Sequence, residues 1–410
     1  MSETITITYL GHQGDGVGES NGKPVFVPFS LTGETLEVSD GKAKRAIIKI
    51  TKPSPTRIEP FCQWFGTCGG CQLQHMQQDA YLAWKTSLLI EAFSREGIDL
   101  SPEEIRHYPR ASRRRAVLTA KKVNDGYELG FSERSSHNTL DIGNCPVLVD
   151  ELNAALGDIK LLLNALSLQK GDVRINLLKC ENGLDLCLTH GGKMTDKAIR
   201  DLITVPAARC FIRISINSEV AFESKRPILK VGTTSVCPPP DAFVQANSEA
   251  ETDMAQLVGD HLSKCKRVAD LFCGFGTFAL RLAENSLVYA AESNEPALKA
   301  LDRAWRETGG RLKTITQEKR DLFRRPMNAK DLKHFDGAVF DPPRAGAEAQ
   351  ARELAKSKLK KIAAVSCNPQ TLARDVKILV NGGFKIISAT PLDQFAFTPH
   401  LETVVLLERK

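Results

Sequence analysis

Short apolar runs separated by turn residues fill the first sixty positions. Ile5, Ile7 and Tyr9 alternate with threonines over Thr4–Tyr9, the period of a half-buried strand. A glycine-rich turn follows at Gly11–Gly18, then strand-like runs at Val25–Val27, Glu34–Val38 and Ala46–Ile50. Several short strands with turns between them predict a small β-barrel. Lys52–Thr56, with its two prolines, reads as a stiff polar linker. Beyond it the period becomes helical. Tyr81, Trp84, Leu88 and Phe93 fall near one face of Asp79–Glu96, and Gly97 stops the helix. Arg115–Val123 and Tyr127–Phe131 flank Asn124-Asp125-Gly126, a hairpin signal. A second helix is expected over Glu151–Leu166, with strands at Val173–Leu178, Leu184–Leu188 and Phe211–Ile216. Pro238-Pro239-Pro240 then halts any regular element.

The remaining third alternates strand and helix, which predicts an α/β fold. A helix starts near Ser248, and a strand at Val268–Phe272 runs into Cys273-Gly274-Phe275-Gly276-Thr277. Strand, glycine-rich turn and helix together make a nucleotide-type site. Gly274, Gly276 and Ala279 also fit a dinucleotide fingerprint, and Glu292, ending the next strand, suits ribose hydroxyls in either case. A strand at Asp336–Phe340 ends in Asp341-Pro342-Pro343-Arg344, which a dehydrogenase has no use for. Ile362–Val365 reads as a buried strand that Pro369 forbids extending. The chain therefore turns just after Cys367, leaving a thiol where open α/β sheets place their chemistry. On composition alone that thiol is as readily a small core residue.

Length changes the picture first: 410 residues predict two or three domains. No run is long enough to span a bilayer and no signal-peptide core is present, so a cytoplasmic protein is expected. There, cysteines are metal ligands, catalytic thiols or core residues rather than disulfides. Cys62, Cys68 and Cys71 cluster around Gly66, Gly69 and Gly70, the pattern of a metal site. Their spacing leaves both zinc and an iron–sulfur cluster open. Cys180, Cys187, Cys210, Cys237, Cys265 and Cys273 show no such spacing and read as core or surface thiols. The net charge of +6 permits a polyanionic partner without demonstrating one. Arg113-Arg114-Arg115, Arg324-Arg325 and the lysines of 356–361 sharpen that hint, although each also serves as a solvated surface.

Taken together, Ser366-Cys367-Asn368-Pro369, Asp341-Pro342-Pro343-Arg344 and the tail from Asp393 to Glu402 resemble the S-adenosylmethionine-dependent RNA uracil-5-methyltransferases. The resemblance implies an OB-like, RNA-binding TRAM barrel at 1–57 and a central α+β iron–sulfur domain at 58–235. It implies a Rossmann-like class I methyltransferase domain at 236–410. In the same way it implies a [4Fe-4S] cluster on Cys62, Cys68, Cys71 and Cys145, Cys367 as nucleophile, and Gln245, Phe272, Thr277, Glu292, Asp321 and Asp341 around S-adenosylmethionine. Thr277 replaces the asparagine often found there, and Ala396 replaces a proline, which predicts a looser tail loop. Uracil carbon 5 is a poor nucleophile, so a thiolate must add at carbon 6 and a base must later take the carbon-5 proton. Glu402 is the expected base, with His400 beside it. The expected product is 5-methyluridine in RNA, 23S ribosomal before transfer RNA, made by a monomer. The alternatives are a transfer-RNA enzyme and a non-catalytic RNA-binding iron–sulfur protein.

Overall fold

The computed structural model describes residues 2–41, 43–124, 126–166, 171–191 and 196–409. Asp125 of the expected hairpin turn lies outside them, but Arg115–Val123 and Gly126–Gly130 do pair antiparallel on either side.

Two three-stranded antiparallel sheets build the first unit. One joins Ser2–Thr6, Thr35–Ser39 and Ile47–Lys52; the other joins Tyr9–Leu10, Gly16–Ser20 and Lys23–Val27. Ile5, Ile7, Val25, Val27, Leu36 and Val38 fill the space between. The sheets approach so closely that a Cβ on Gly18 would lie 2.4 Å from the Ile5 side chain. Tyr9 does not share the face of Ile5 and Ile7: the strand breaks before it and the ring is exposed. The expected linker is not free either. Ser54 donates its amide to Glu34 at 3.2 Å, and Arg57 bonds the same fully buried carboxylate.

A six-stranded sheet follows, in the order 219–223, 211–216, 183–189, 173–180, 115–123, 126–130. The helix Asp150–Leu166 lays its apolar stripe of Leu152, Leu156, Ile159 and Leu163 on one face. Residues 78–107 pack elsewhere. The helix Gln78–Arg95 lies against the helix Pro369–Asn381 that covers the carboxyl-terminal sheet, and Arg106–His107 joins that sheet as an edge strand.

That last sheet has eight strands, in the order 315–319, 287–292, 267–271, 337–340, 361–366, 402–408, 385–393, 106–107. All neighbours run parallel except 402–408, which is antiparallel to both of its own. Covered on both faces, its strands lose the alternation of half-buried ones: Ile362, Ala363, Ala364 and Val365 are all fully buried. Burying each Ile or Val contributes about 1.5–3 kcal/mol. The connections diverge between 267–271 and 337–340, which opens a crevice beyond their carboxyl ends. The helical run expected after the glycine-rich turn is short, only Ala279–Leu282. Gly276 is required in that turn, at φ +102°, where a Cβ would lie 2.5 Å from Leu301. Among the described residues, no helix is long and apolar enough to cross a membrane.

Candidate active site

Strand ends converge on the crevice. Asp341 follows Gly337–Phe340, Cys367 follows Lys361–Ser366, Asp393 closes one strand and Glu402 opens the next. Ser366 pairs with Thr403, so the next residues outward, Cys367 and Glu402, come opposite each other. Cys367 is half-buried beside a groove of about 240 Å³ that His12, Gln13, Leu88, Arg95, Arg344 and His400 also line. Asn368 fixes the turn after it, accepting from the Gln370 amide at 3.1 Å and donating to the Arg344 carbonyl at 3.1 Å. Pro369 then opens a helix whose unpaired amides favour an anion.

Burial, aided by the carboxyls of Glu402 and Asp341, pushes the Cys367 thiol up to about 11 against the pull of Arg344. At rest the sulfur is therefore protonated. Arg344 also lies 3.0 Å from His400 Nε2. Burial and that neighbouring charge hold His400 down to about 4, so its ring is neutral and accepts from the guanidinium.

The two carboxyls differ from surface acids. Burial lifts Asp341 and Glu402 well above the usual carboxylate range, and for Glu402 the nearby Asp341 lifts it further. An amide chain joins them. Gln245 Nε2 lies 3.4 Å from Asp341 Oδ2, Gln394 Nε2 donates to Gln245 Oε1 at 2.8 Å, and the same nitrogen donates to Glu402 Oε2 at 2.6 Å. Glu402 Oε1 is buried with no partner.

The expected donor-binding residues ring the neighbouring strand ends. Glu292 accepts from Gly274 N at 3.2 Å through one oxygen and from Asn294 N at 2.8 Å through the other. Phe272 sits at φ +63°, a strained position for a side chain, with its ring 5.4 Å from that of Phe323. Asp321, exposed, accepts from Phe323 N at 3.0 Å, so its loop packs over Phe272. Thr277 lies in the same turn, where its carbonyl accepts from Arg281 at 2.7 Å. Beneath that turn Asp270 is fully buried, and burial pushes it up to about 8 against the pull of the Ala279 amide.

Cys62, Cys68, Cys71 and Cys145 gather in a second place, lining one cavity of about 270 Å³. Gly70 N–H donates to the Cys68 sulfur at 3.4 Å. Burial, and then the neighbouring sulfurs, push Cys71 up to about 12 and raise Cys145. Among the described residues, no three His, Cys, Asp or Glu side chains converge closely enough to hold a single metal ion. Arg344, Phe395, Thr398 and His400 line the far wall, so the cavity backs onto the tail loop.

Lys85 anchors that loop. Its fully buried ammonium bonds the Asp393 carboxylate, the Phe395 carbonyl at 3.1 Å and the His400 carbonyl at 2.6 Å. Burial pushes Lys85 down and Asp393 up, each restrained by the other. Phe397 is held as well: its carbonyl accepts from Gln72 N at 2.8 Å and its amide donates to Tyr81 Oη at 2.7 Å. The loop is thus fixed despite Ala396. Behind Gln245, buried Glu251 bonds Arg114 at 2.6 Å and Arg281 at 3.0 Å.

Sequence reasoning missed Gln394, Lys85, Asp270 and Glu251. Lys85 did carry a signal, being a charge on the same helical stripe as Tyr81 and Leu88. Gln394, between Asp393 and Phe395, carried none.

Residues 234–410 match the family model described as tRNA (Uracil-5-)-methyltransferase, and residues 3–46 match the TRAM domain. An uncharacterized RNA methyltransferase of Rhizobium meliloti is 45% identical over 99% of both chains. The 23S rRNA (uracil(1939)-C(5))-methyltransferase of Pectobacterium atrosepticum is 32% identical over 98% of this chain and 93% of its own. Among solved structures, the Pyrococcus abyssi tRNA (uracil-54, C5)-methyltransferase in complex with S-adenosyl-L-homocysteine is similar, with a TM-score of 0.75 and 25% identity over 99% of this chain and 100% of its own.

Proposed function

The chain belongs to the RNA uracil-5-methyltransferases, S-adenosylmethionine-dependent enzymes, and we propose that its target is a uridine of 23S ribosomal RNA, methylated through a covalent bond from Cys367 to carbon 6. The observation that carries the mechanism is the placement of Cys367, Asp341 and Glu402 on adjoining strand ends, with one Glu402 oxygen unpartnered.

The thiol of Cys367 gives its proton to solvent in the groove that it lines, a loss that Arg344 favours and that ionised Asp341 and Glu402 oppose. The thiolate adds to carbon 6 of a uracil turned out of its stack. The displaced electron pair makes carbon 5 nucleophilic, and carbon 5 takes the methyl group from the sulfonium of S-adenosylmethionine, releasing S-adenosylhomocysteine. Glu402, as carboxylate, accepts the carbon-5 proton; the freed pair restores the 5,6 double bond and the Cys367–carbon 6 bond breaks. Gln245, Phe272, Thr277, Glu292, Asp321 and Asp341 hold the methyl donor at the strand ends.

The same reading gives 1–57 to an RNA-binding barrel, 58–235 to a central domain and 236–410 to the catalytic domain. It assigns Cys62, Cys68, Cys71 and Cys145 to a [4Fe-4S] cluster. The reading is supported by the one cavity that all four cysteines line, since such a cluster is held by four cysteine thiolates. When bound, the cluster supplies a cross-link behind the tail loop rather than electrons, since methyl transfer needs none.

The ribosomal target is supported by the Pectobacterium relative, which matches over nearly its whole length. Mapping 5-methyluridine in RNA from cells lacking this protein tests it. One site should vanish from 23S ribosomal RNA; loss from transfer RNA alone would contradict it.

A further inference from the structure

We propose that Gln394 is the positioning residue of the base: its amide holds Glu402 by one oxygen, leaves the other for the carbon-5 proton, and fastens that carboxyl to Gln245 across the pocket. The proposal rests on the reading of Glu402 as base.

Gln394 and Glu402 stand at the two ends of one hairpin loop, the first following Lys385–Asp393 and the second opening Glu402–Glu408. Both side chains are buried. A primary amide nitrogen carries two hydrogens, and Gln394 uses both, at 2.8 Å to Gln245 Oε1 and at 2.6 Å to Glu402 Oε2. The orientation is dictated by its neighbours. Gln245 turns its own nitrogen toward Asp341, so Gln394 meets an oxygen on either side and only its nitrogen satisfies them.

The consequence for Glu402 is an asymmetric carboxylate. Oε2 is tied by a charge-assisted bond, whereas Oε1 is buried and unpartnered. A carboxylate held in this way cannot swing, and the proton it accepts goes to Oε1. As that proton leaves carbon 5, its bonding pair re-forms the 5,6 double bond, the sulfur–carbon 6 pair returns to Cys367, and Glu402 ends neutral.

The bond also sets when the base is available. The titratable groups facing Glu402 are Asp341, at the end of Gly337–Phe340, and Cys367, at the end of Lys361–Ser366; Arg344 faces Cys367. Burial and Asp341 hold Glu402 protonated, and the Gln394 bond is the contact that opposes them. Without it the carboxylate forms only at higher pH. The amide oxygen of Gln394 is itself buried and unpartnered, so Gln394→Met removes one unsatisfied acceptor while it takes the donor from Gln245 Oε1 and Glu402 Oε2.

The test follows a single turnover with substrate RNA and methyl-labelled S-adenosylmethionine in wild type, Gln394→Met and Glu402→Gln. Protein-linked methylated RNA is quantified after denaturation across pH 6 to 10. Gln394→Met should form the adduct within about threefold of the wild-type rate, but resolve it about 10- to 100-fold more slowly at pH 7. Its resolution rate should recover as pH rises, with the limb displaced upward by about one unit. Glu402→Gln should retain the adduct at every pH. Wild-type resolution and pH profile in Gln394→Met, beside a trapped adduct in Glu402→Gln, would overturn the role of Gln394 while leaving the base in place. Equal slowing at all pH values would also overturn it, since a merely loosened hairpin does that. No trapped adduct in Glu402→Gln would remove Glu402 as base and Gln394 with it.

Discussion

The pocket around Cys367 and the cavity around the four cysteines share a wall, the tail loop 395–400, yet they are built in opposite ways. In the pocket the polar groups already hold each other: Asp341, Gln245, Gln394 and Glu402 form one chain, and Arg344 offsets charge at the sulfur. In the cavity the sulfurs meet the amides of Gly70, Val147 and Leu148 and the Gln74 side chain, with Arg113 on the wall, but they also face one another, a contact that is repulsive once they ionise. The first region is preorganised by its own side chains. The second gathers more thiols than its lining cations, Arg113 and Arg344, offset, since burial and the neighbouring sulfurs still raise Cys71. A site can therefore be legible from partners already paired, or from groups that remain mutually incompatible until something fills it.

The largest expected effect breaks the second half of that comparison. If the cavity needs its resident group, anaerobically purified protein carries iron and acid-labile sulfide in near-equal amounts. Cys71→Ser should lose both, together with a large part of the melting temperature. Stoichiometric zinc without sulfide would contradict the assignment, and an unchanged melting temperature would contradict the structural role.

A smaller effect probes the shared wall. Lys85→Met leaves Asp393 buried without its cation, which should cost about 3–5 kcal/mol at neutral pH. The sign with pH follows from the carboxyl. In the variant the folded-state pKa of Asp393 lies above its unfolded value, so the folded form binds the extra proton and stability falls as pH rises through that range. Denaturant melts at pH 5 and pH 8 should therefore show a larger deficit at pH 8, and Asp393→Asn in the Lys85→Met background should remove the difference. A deficit equal at both pH values would mean that the pair contributes packing alone.

How much of this was legible beforehand follows from the same contrast. The strand at 361–366 and the turn at Pro369 were readable because a two-sided buried strand and a proline leave few alternatives. Cys367, Asp341 and Glu402 stood in motifs whose chemistry was recognisable, and Cys62, Cys68 and Cys71 in a cluster whose spacing was; Cys145 came from the resemblance alone. Gln394 was not readable, since its role depends on which atom faces Gln245 across a sheet. Glu34 escaped notice for a similar reason: a carboxylate that fixes Ser54 and Arg57 looks in sequence like the polar side of a strand. Pattern reports elements and motif chemistry. It does not report partners brought from 149 residues away, as Gln394 and Gln245 are.

The central claim, a covalent route closed by a separate base, is tested most directly by the mass of the protein–RNA species after denaturation. Glu402→Gln, given substrate RNA and S-adenosylmethionine, should accumulate protein joined through Cys367 to an already methylated uridine. Cys367→Ala should form no adduct and lose turnover by at least about a thousandfold. Wild-type turnover in Glu402→Gln with no adduct at any time, or methylation persisting in Cys367→Ala, would contradict the account.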